Sequence, residues 1–349
     1  MAALYGLRTK DASSRVTLDT ASTPIRSLMM LQVTCDGSFE QTFSIPEIKS
    51  DSFVVVDRLA PASSPTTNWS PQAWYSPGLL TIRRGFNETW QVLVLSSGGA
   101  PFTAVGQYGV RSVNNNIQSQ IDSVNRVLNV MYQGSFTFPS WANRDQPFLN
   151  GYDFPTPITA YERPLVFVNG PGHLMLRDFY VQGSPGNWTG WRVAKYMHPD
   201  FGPVWLEAMQ VDWFVSSYSA SPVSVGAYGA TVSDASGVDI FTSTNNIVRL
   251  NSQPTTTSFI VAGSPIVGAG YYAASCQMPW TNNVGDYFLA NALLSPTYVP
   301  AGTTSPWLAT IAGFLNGRRD MLQAYTENYG AINPVDPNGR TLFAARPTL

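Results

Sequence analysis

Few side chains in this sequence are of a type and spacing that carry chemistry. Histidine occurs twice, as His173 in Asn169-Gly170-Pro171-Gly172-His173 and as His198 in Tyr196-Met197-His198-Pro199-Asp200. A serine or cysteine triad needs an oriented histidine beside its nucleophile. Neither histidine adjoins a Gly-x-Ser-x-Gly elbow, which the sequence lacks. Cys35 and Cys276 are far apart and have no metal-type spacing, so they read as small apolar side chains. Glycoside hydrolysis needs only two carboxylates, and Asp178, Asp200, Glu207 and Asp212 share one stretch. With 22 acids scattered along the chain, such a group arises by accident. The expectation is therefore no catalytic residue, no metal, no cofactor and no enzyme.

Aromatic side chains are the more promising chemistry. Trp69, Trp74 and Tyr75 lie in a Pro/Ser/Asn-rich stretch, and Trp188, Trp191 and Tyr196 follow Gly186-Asn187. Large rigid rings in loops suit stacking on sugars or contacts with proteins. Those six residues are the candidate binding set. The competing expectation is that they plug the ends of the sandwiches or pack against sister domains.

The elements that position these residues follow from an internal repeat. Tyr5-Gly6-Leu7-Arg8-Thr9 recurs as Tyr108-Gly109-Val110-Arg111-Ser112, and Leu18-Asp19-Thr20 recurs as Ile121-Asp122-Ser123. A third copy begins at Tyr228-Gly229 and places Asp234-Ala235-Ser236 on Asp11-Ala12-Ser13, and Phe241 on Leu18. Ser96-Ser97 and Ser216-Ser217 precede the second and third copies, and Gly37-Ser38-Phe39 resembles Gly134-Ser135-Phe136. A truncated fourth copy ends the chain, with Tyr329-Gly330 and Asp336-Pro337-Asn338-Gly339. Each copy opens with a short strand, a turn of Asp/Asn/Ser/Gly chemistry and an alternating return strand, which is a hairpin.

The remainder of each copy reads as strands punctuated by 28 Gly and 26 Pro. Asp36-Gly37 predicts a further hairpin between 31–35 and 39–43. Residues 307–325 fit either a hairpin around Asn316-Gly317 or a helix. The expected fold is all-β: three tandem antiparallel β-sandwich domains at 1–103, 104–223 and 224–326, with a terminal hairpin at 327–349.

Composition narrows the function classes. Charged residues are 12 % of the chain, about half the globular average of roughly 25 %, while aromatics reach 13 %, too many for disorder. With 20 basic and 22 acidic residues and no basic stripe, a nucleic-acid partner is not expected. The apolar run 258–274 is interrupted by Gly263, Pro265, Gly268 and Gly270, so no membrane insertion is expected. The opening residues show no signal-peptide pattern.

The segment Tyr5-Gly6-Leu7 … Asp11-Ala12-Ser13-Ser14 … Val16-Thr17-Leu18-Asp19 resembles the start of small β proteins encoded near tail-fibre genes in tailed phages of Gram-negative bacteria. The resemblance covers about 20 residues per copy. It implies a structural component of a phage tail tip, baseplate or tail fibre, located in the virion, with no catalytic residues to carry over. Expected partners are the chain itself, as a homotrimer or other symmetric multimer, other tail proteins, and a host surface glycan or pilus. The alternatives are a carbohydrate-binding, lectin-like surface or secreted module, and a polysaccharide-degrading tail enzyme.

Overall fold

The computed structural model describes residues 8–10, 16–19, 23–58, 72–83, 87–96, 108–114, 117–140, 149–195, 207–218, 230–250, 260–261, 271–280, 285–293, 308–314, 321–329 and 345–347. The chain is all-β. Its first part holds β1 (Arg8–Lys10), β2 (Val16–Asp19), β3 (Thr23–Pro24), β4 (Arg26–Thr34), β5 (Glu40–Ser44), β6 (Ser52–Arg58), β7 (Gln72–Ser76), β8 (Leu79–Arg83) and β9 (Thr89–Ser96). Next come β10 (Gly109–Asn114), β11 (Ile117–Asp122), β12 (Asn129–Phe138), β13 (Leu149–Ile158), β14 (Leu165–Asn169), β15 (Met175–Ser184), β16 (Asn187–Lys195) and β17 (Met209–Ser217). The last part holds β18 (Thr231–Ser233), β19 (Asp239–Thr242), β20 (Val248–Leu250), β21 (Ile260–Val261), β22 (Tyr271–Pro279), β23 (Phe288–Leu289), α1 (Ala290–Leu293), β24 (Leu308–Gly313), β25 (Met321–Tyr329) and β26 (Ala345–Pro347).

The first two copies share one strand plan. In the first, β4-β9-β6 packs over β5-β8-β7; in the second, β12-β17-β14 packs over β13-β16-β15. The two plans match strand for strand in sequence order. Both opening strands are bulged at the same place, between Ser27 and Met29 and, 103 residues on, between Val130 and Tyr132. Alternation explains the packing. Trp90, Val92 and Val94 of β9 point at Leu80 and Ile82 of β8 across the first interior. Val211, Trp213 and Val215 of β17 do the same against Trp188, Trp191 and Val193 of β16. Each such side chain contributes about 1.5–3 kcal/mol when fully buried, so these interiors dominate the stability of the two units.

The third segment is joined to the second. β22, β25 and β24 continue the β13-β16-β15 sheet through β15–β24, where Met175 faces Gly313 and Leu176 faces Ala312. β23 continues the other sheet, with Phe167 opposite Leu289. Ladders therefore cross the expected boundary between 223 and 224, each over two residue pairs along the edges of β15 and β14. Most of the expected terminal hairpin, 327–349, lies outside the described residues; within it, β26 pairs with β20 of the third segment, Arg249 opposite Arg346. Tyr329 belongs to the long strand β25, and Asp336-Pro337-Asn338-Gly339 lies outside the described residues.

Residues 307–325 resolve in favour of strands, since β24 and β25 are antiparallel partners. The Asp36-Gly37 turn does not make a hairpin. β4 pairs with β9 while β5 pairs with β8, so the turn hands the chain from one sheet to the other. Gly37 supplies the left-handed φ of 87° that this needs, and the Asp36 carboxylate accepts the Ser38 N–H at 2.9 Å. Gly134-Ser135-Phe136 is not its counterpart, because it runs through the middle of β12.

The repeat motif itself is structural. β1–β2, β10–β11 and β18–β19 each form a two-stranded sheet. The first and third share a register at a spacing of 223 residues: Arg8↔Asp19, Thr9↔Leu18 and Lys10↔Val16 match Thr231↔Thr242, Val232↔Phe241 and Ser233↔Asp239, with a bulge at the same step. The second is unbulged, and its leading strand is shifted two residues, with Tyr108 opposite Ser123 where the third copy puts Ala230 opposite Ser243.

After each hairpin the chain meets the next copy. Arg26 bridges to Val127, Asn129 to Ile247 and Arg249 to Pro24. Asn129 and Arg249 stand 103 and 223 residues beyond Arg26; Val127 and Ile247 stand the same distances beyond Pro24. One pairing is thus repeated three times, from first copy to second, second to third and third back to first. The flanking hydrogen bonds repeat as well: Ser27 N to Arg126 O (3.0 Å) matches Val130 N to Asn246 O (2.8 Å), and Leu128 N to Ile25 O matches Val248 N to Leu128 O, both 2.9 Å. The three copies close a ring with a pseudo-threefold axis. Ile25, Leu128 and Val248, equivalent positions, are all fully buried in one cluster at that axis, with Phe53, Leu93, Phe167, Phe214 and Leu289 around them.

Candidate interaction surface

The six aromatic candidates do not form one surface. Trp188 and Trp191 are buried to 1 % and 0 % exposure. Gly190 between them is in a strand, not a turn: a Cβ there would stand 2.6 Å from the Tyr152 carbonyl oxygen, so glycine permits close approach of β13. Trp191 packs edge-on to Trp213 at 5.5 Å. Trp188 donates its ring N–H to Ala160 O at 3.0 Å and lies 5.5 Å from the Arg163 guanidinium. These two are core residues, because β16 sits mid-sheet with a covered face. Trp69 and Tyr196 lie outside the described residues.

Trp74 and Tyr75 are neighbours on β7 and so face opposite ways. Tyr75 packs inward. Trp74 is half-buried on the outer face of β5-β8-β7. There the Arg83 guanidinium lies 5.0 Å from the Trp74 ring and 5.6 Å from the exposed Phe39 ring, while Glu40 holds it through Nε at 2.9 Å and Nη2 at 2.7 Å. Thr42 and Thr81 share a 2.9 Å hydrogen bond beside them. The second copy carries a related group on β13-β16-β15, where Arg192 pairs with Asp153 at 2.5 Å and Tyr180 stands opposite Arg192. Acid, guanidinium, hydroxyl and ring suit sugar recognition. In the first copy, though, a stacking ligand must first displace Arg83 from the ring.

The ring joints hold the polar groups that sequence reasoning missed. Arg26 Nη1 meets Asp122 at 2.5 Å with side chains 4 % and 0 % exposed. Asp122 also accepts from Gln120 Nε2 (3.1 Å), Val124 N (3.0 Å), Asn125 N (2.7 Å) and Asn125 Nδ2 (3.0 Å). Burial works to raise the Asp122 pKa, but the Asn125 backbone N–H, Gln120 and the Arg26 charge outweigh it and hold the carboxyl below its usual value. At the second joint Asn245 Nδ2 donates to Asn129 Oδ1 (3.2 Å) and Thr242 donates to Asn245 Oδ1 (3.0 Å). Asn129 is the equivalent of Arg26, and Thr242 of Asp122. Arg163 adds a clamp between copies: it pairs with Asp57 at 2.5 Å, and its N–H donates to Gln91 Oε1 at 2.9 Å.

One further group, Lys195, was not singled out. Lys195 is wholly buried, donates to Glu207 O at 2.7 Å, and has its pKa pushed down to about 8 by burial. An amine so enclosed and committed to a carbonyl caps the chain near 207. His173 is likewise lowered by burial. The Cys35 thiol is buried and raised to about 11, burial being the main cause. Of the four acids weighed as a hydrolytic pair, Asp212 accepts from Gln210 at 2.7 Å and Glu207 is exposed; Asp200 lies outside the described residues. Among the described residues, no group of three or more His, Cys, Asp or Glu could hold a metal ion, and no helix is long and apolar enough to cross a membrane.

Comparison with known families, characterised proteins and solved structures finds no match to this chain.

Proposed function

We propose that the chain is a structural component of a phage tail tip, baseplate or tail fibre, carried in the virion and without catalysis of its own. The observation that supports this is the ring. Three copies of one unit are locked by repeated backbone ladders and a buried axial cluster, which makes a stiff body of defined symmetry. Such a body suits a fixed assembly, where few solubilising charges are needed. Threefold symmetry arises inside one chain, so in this proposal a single copy stands where a homotrimer was expected. Its partners are other tail proteins. The test is mass spectrometry and imaging of purified particles of the phage that encodes it. A stoichiometric band and density fitting the ring support the assignment; absence of the chain from washed particles refutes it.

A second reading has its own observation. The Trp74–Arg83–Glu40 face has the composition of a sugar platform. A lectin-like role predicts glycan-array signals that Trp74→Ala abolishes. Signals absent from the unaltered chain rule it out.

A further inference from the structure

The three hairpins leave strand edges that the ring itself arranges for a partner. Among the described residues, β1–β2, β10–β11 and β18–β19 are the two-stranded sheets, and no described strand pairs with the outer edge of β1, β10 or β18. Tyr108, Gly109 and Val110 of the second hairpin are exposed, as is Thr231 of the third. Each hairpin runs within a few residues into the same ring position, so the pseudo-threefold sets all three on one side of the ring. An open edge of a short two-stranded sheet is an incomplete structure that another strand can complete.

What completes them is constrained by the geometry. The hairpins differ in side chains: Arg8 and Lys10, Arg111 and Val113, Thr231 and Ser233 occupy their leading strands. They share backbone direction and, in two of three, the full register including the bulge. A partner that recognises all three must therefore read backbone, by adding a strand. β1 and β18 are three residues long, so one added strand gains only a few hydrogen bonds and holds weakly by itself. Three strands delivered by one body, spaced by the same axis, hold through effective concentration. The geometry points to a homotrimeric protein, seated coaxially on the hairpin side of the ring, each of its subunits adding one strand to one hairpin. This rests on the assignment to a tail assembly and specifies the neighbour within it: one copy of this chain caps three copies of another.

The outward N–H groups can be named. Ser123 N donates to Tyr108 O and Ser243 N to Ala230 O, so by antiparallel alternation Val113 and Thr231 present their N–H groups to the open edge. Val113→Pro with Thr231→Pro removes these donors while leaving the inner ladder intact. Imaging of the purified particle at strand-tracing resolution is the test, with the double variant introduced into the phage. The expected result is three copies of one neighbouring chain, each with a strand along β1, β10 or β18. Incorporation of the double variant should fall more than tenfold, although the isolated variant melts within a few degrees of the unaltered chain. Bare hairpin edges, a neighbour of other symmetry, or full incorporation of a folded double variant overturns the inference and leaves the tail assignment standing. Absence of the chain from the particle overturns both. Should the double variant unfold, the edges are read from the unaltered particle alone.

Discussion

Between the first and second copies Arg26 meets Asp122 in a buried ion pair; between the second and third, the equivalent Asn129 meets Asn245, and through it Thr242, by neutral hydrogen bonds. Both joints carry the same backbone bridge and the same flanking hydrogen bonds. Closure of the ring is thus a property of the backbone and the axial apolar cluster, and the polar chemistry over it has diverged. A buried ion pair is costly to desolvate and gives little net stability, yet removing one partner strands the other. The charged joint should therefore be brittle to single changes and the neutral joint tolerant.

The largest effect expected is from Asp122→Ala, which removes the buried ion pair with Arg26 and the acceptor of the Val124 and Asn125 N–H groups. Urea unfolding should show a loss of about 3–5 kcal/mol. Acid should expose the same asymmetry. An unfolded aspartate ionises near pH 3.9, and Asp122 is lower in the folded chain. Its stabilisation is complete above the unfolded value and disappears as pH falls through the folded one, so it is lost below about pH 4. Asp122→Asn should flatten the acid side of a stability–pH curve there; an unchanged slope would place the acid sensitivity elsewhere. Asn129→Ala at the neutral joint should cost about 1–2 kcal/mol in the same unfolding measurement. Removing both charges while keeping an acceptor for the Val124 and Asn125 N–H groups, Arg26→Met with Asp122→Asn, should come within about 1 kcal/mol of the unaltered chain by thermal melting. Smallest of all, Trp74→Ala on the outer sheet face should cost less than about 1 kcal/mol.

The hairpins were legible because their turns use Asp, Asn, Ser and Gly and their return strands alternate, which are local signals. The second hairpin shows the limit. Matching Tyr5 to Tyr108 by type puts the leading strand two residues out of register, since two residues separate the paired Asn114 and Ile117 where five separate the paired Ser233 and Asp239. A shift of two residues keeps the strand alternation in phase, so the pattern looked right. Ring closure was not legible, because 23–27, 126–130 and 246–250 pair across more than a hundred residues without a turn to announce it. Trp188 and Trp191 misled for a different reason. Gly and Asn around them suggest a loop, whereas Gly190 is small to let β13 approach and Gly186, with φ of 83°, makes the actual turn. The joining of the third segment to the second depends on strand edges, which carry no sequence signature of their own.

The ring closes where the third copy returns to the first within one chain. Arg249 and Pro24 stand opposite each other in a non-hydrogen-bonded antiparallel pair, where Cα atoms lie roughly 4.5 Å apart, within disulfide range. With Cys35 and Cys276 changed to Ser, Pro24→Cys and Arg249→Cys should oxidise to a bond inside a single 38.1 kDa chain, mapped by peptide mass spectrometry to residues 24 and 249. Failure to form the bond, or a bond found only between two chains, would contradict the closed ring.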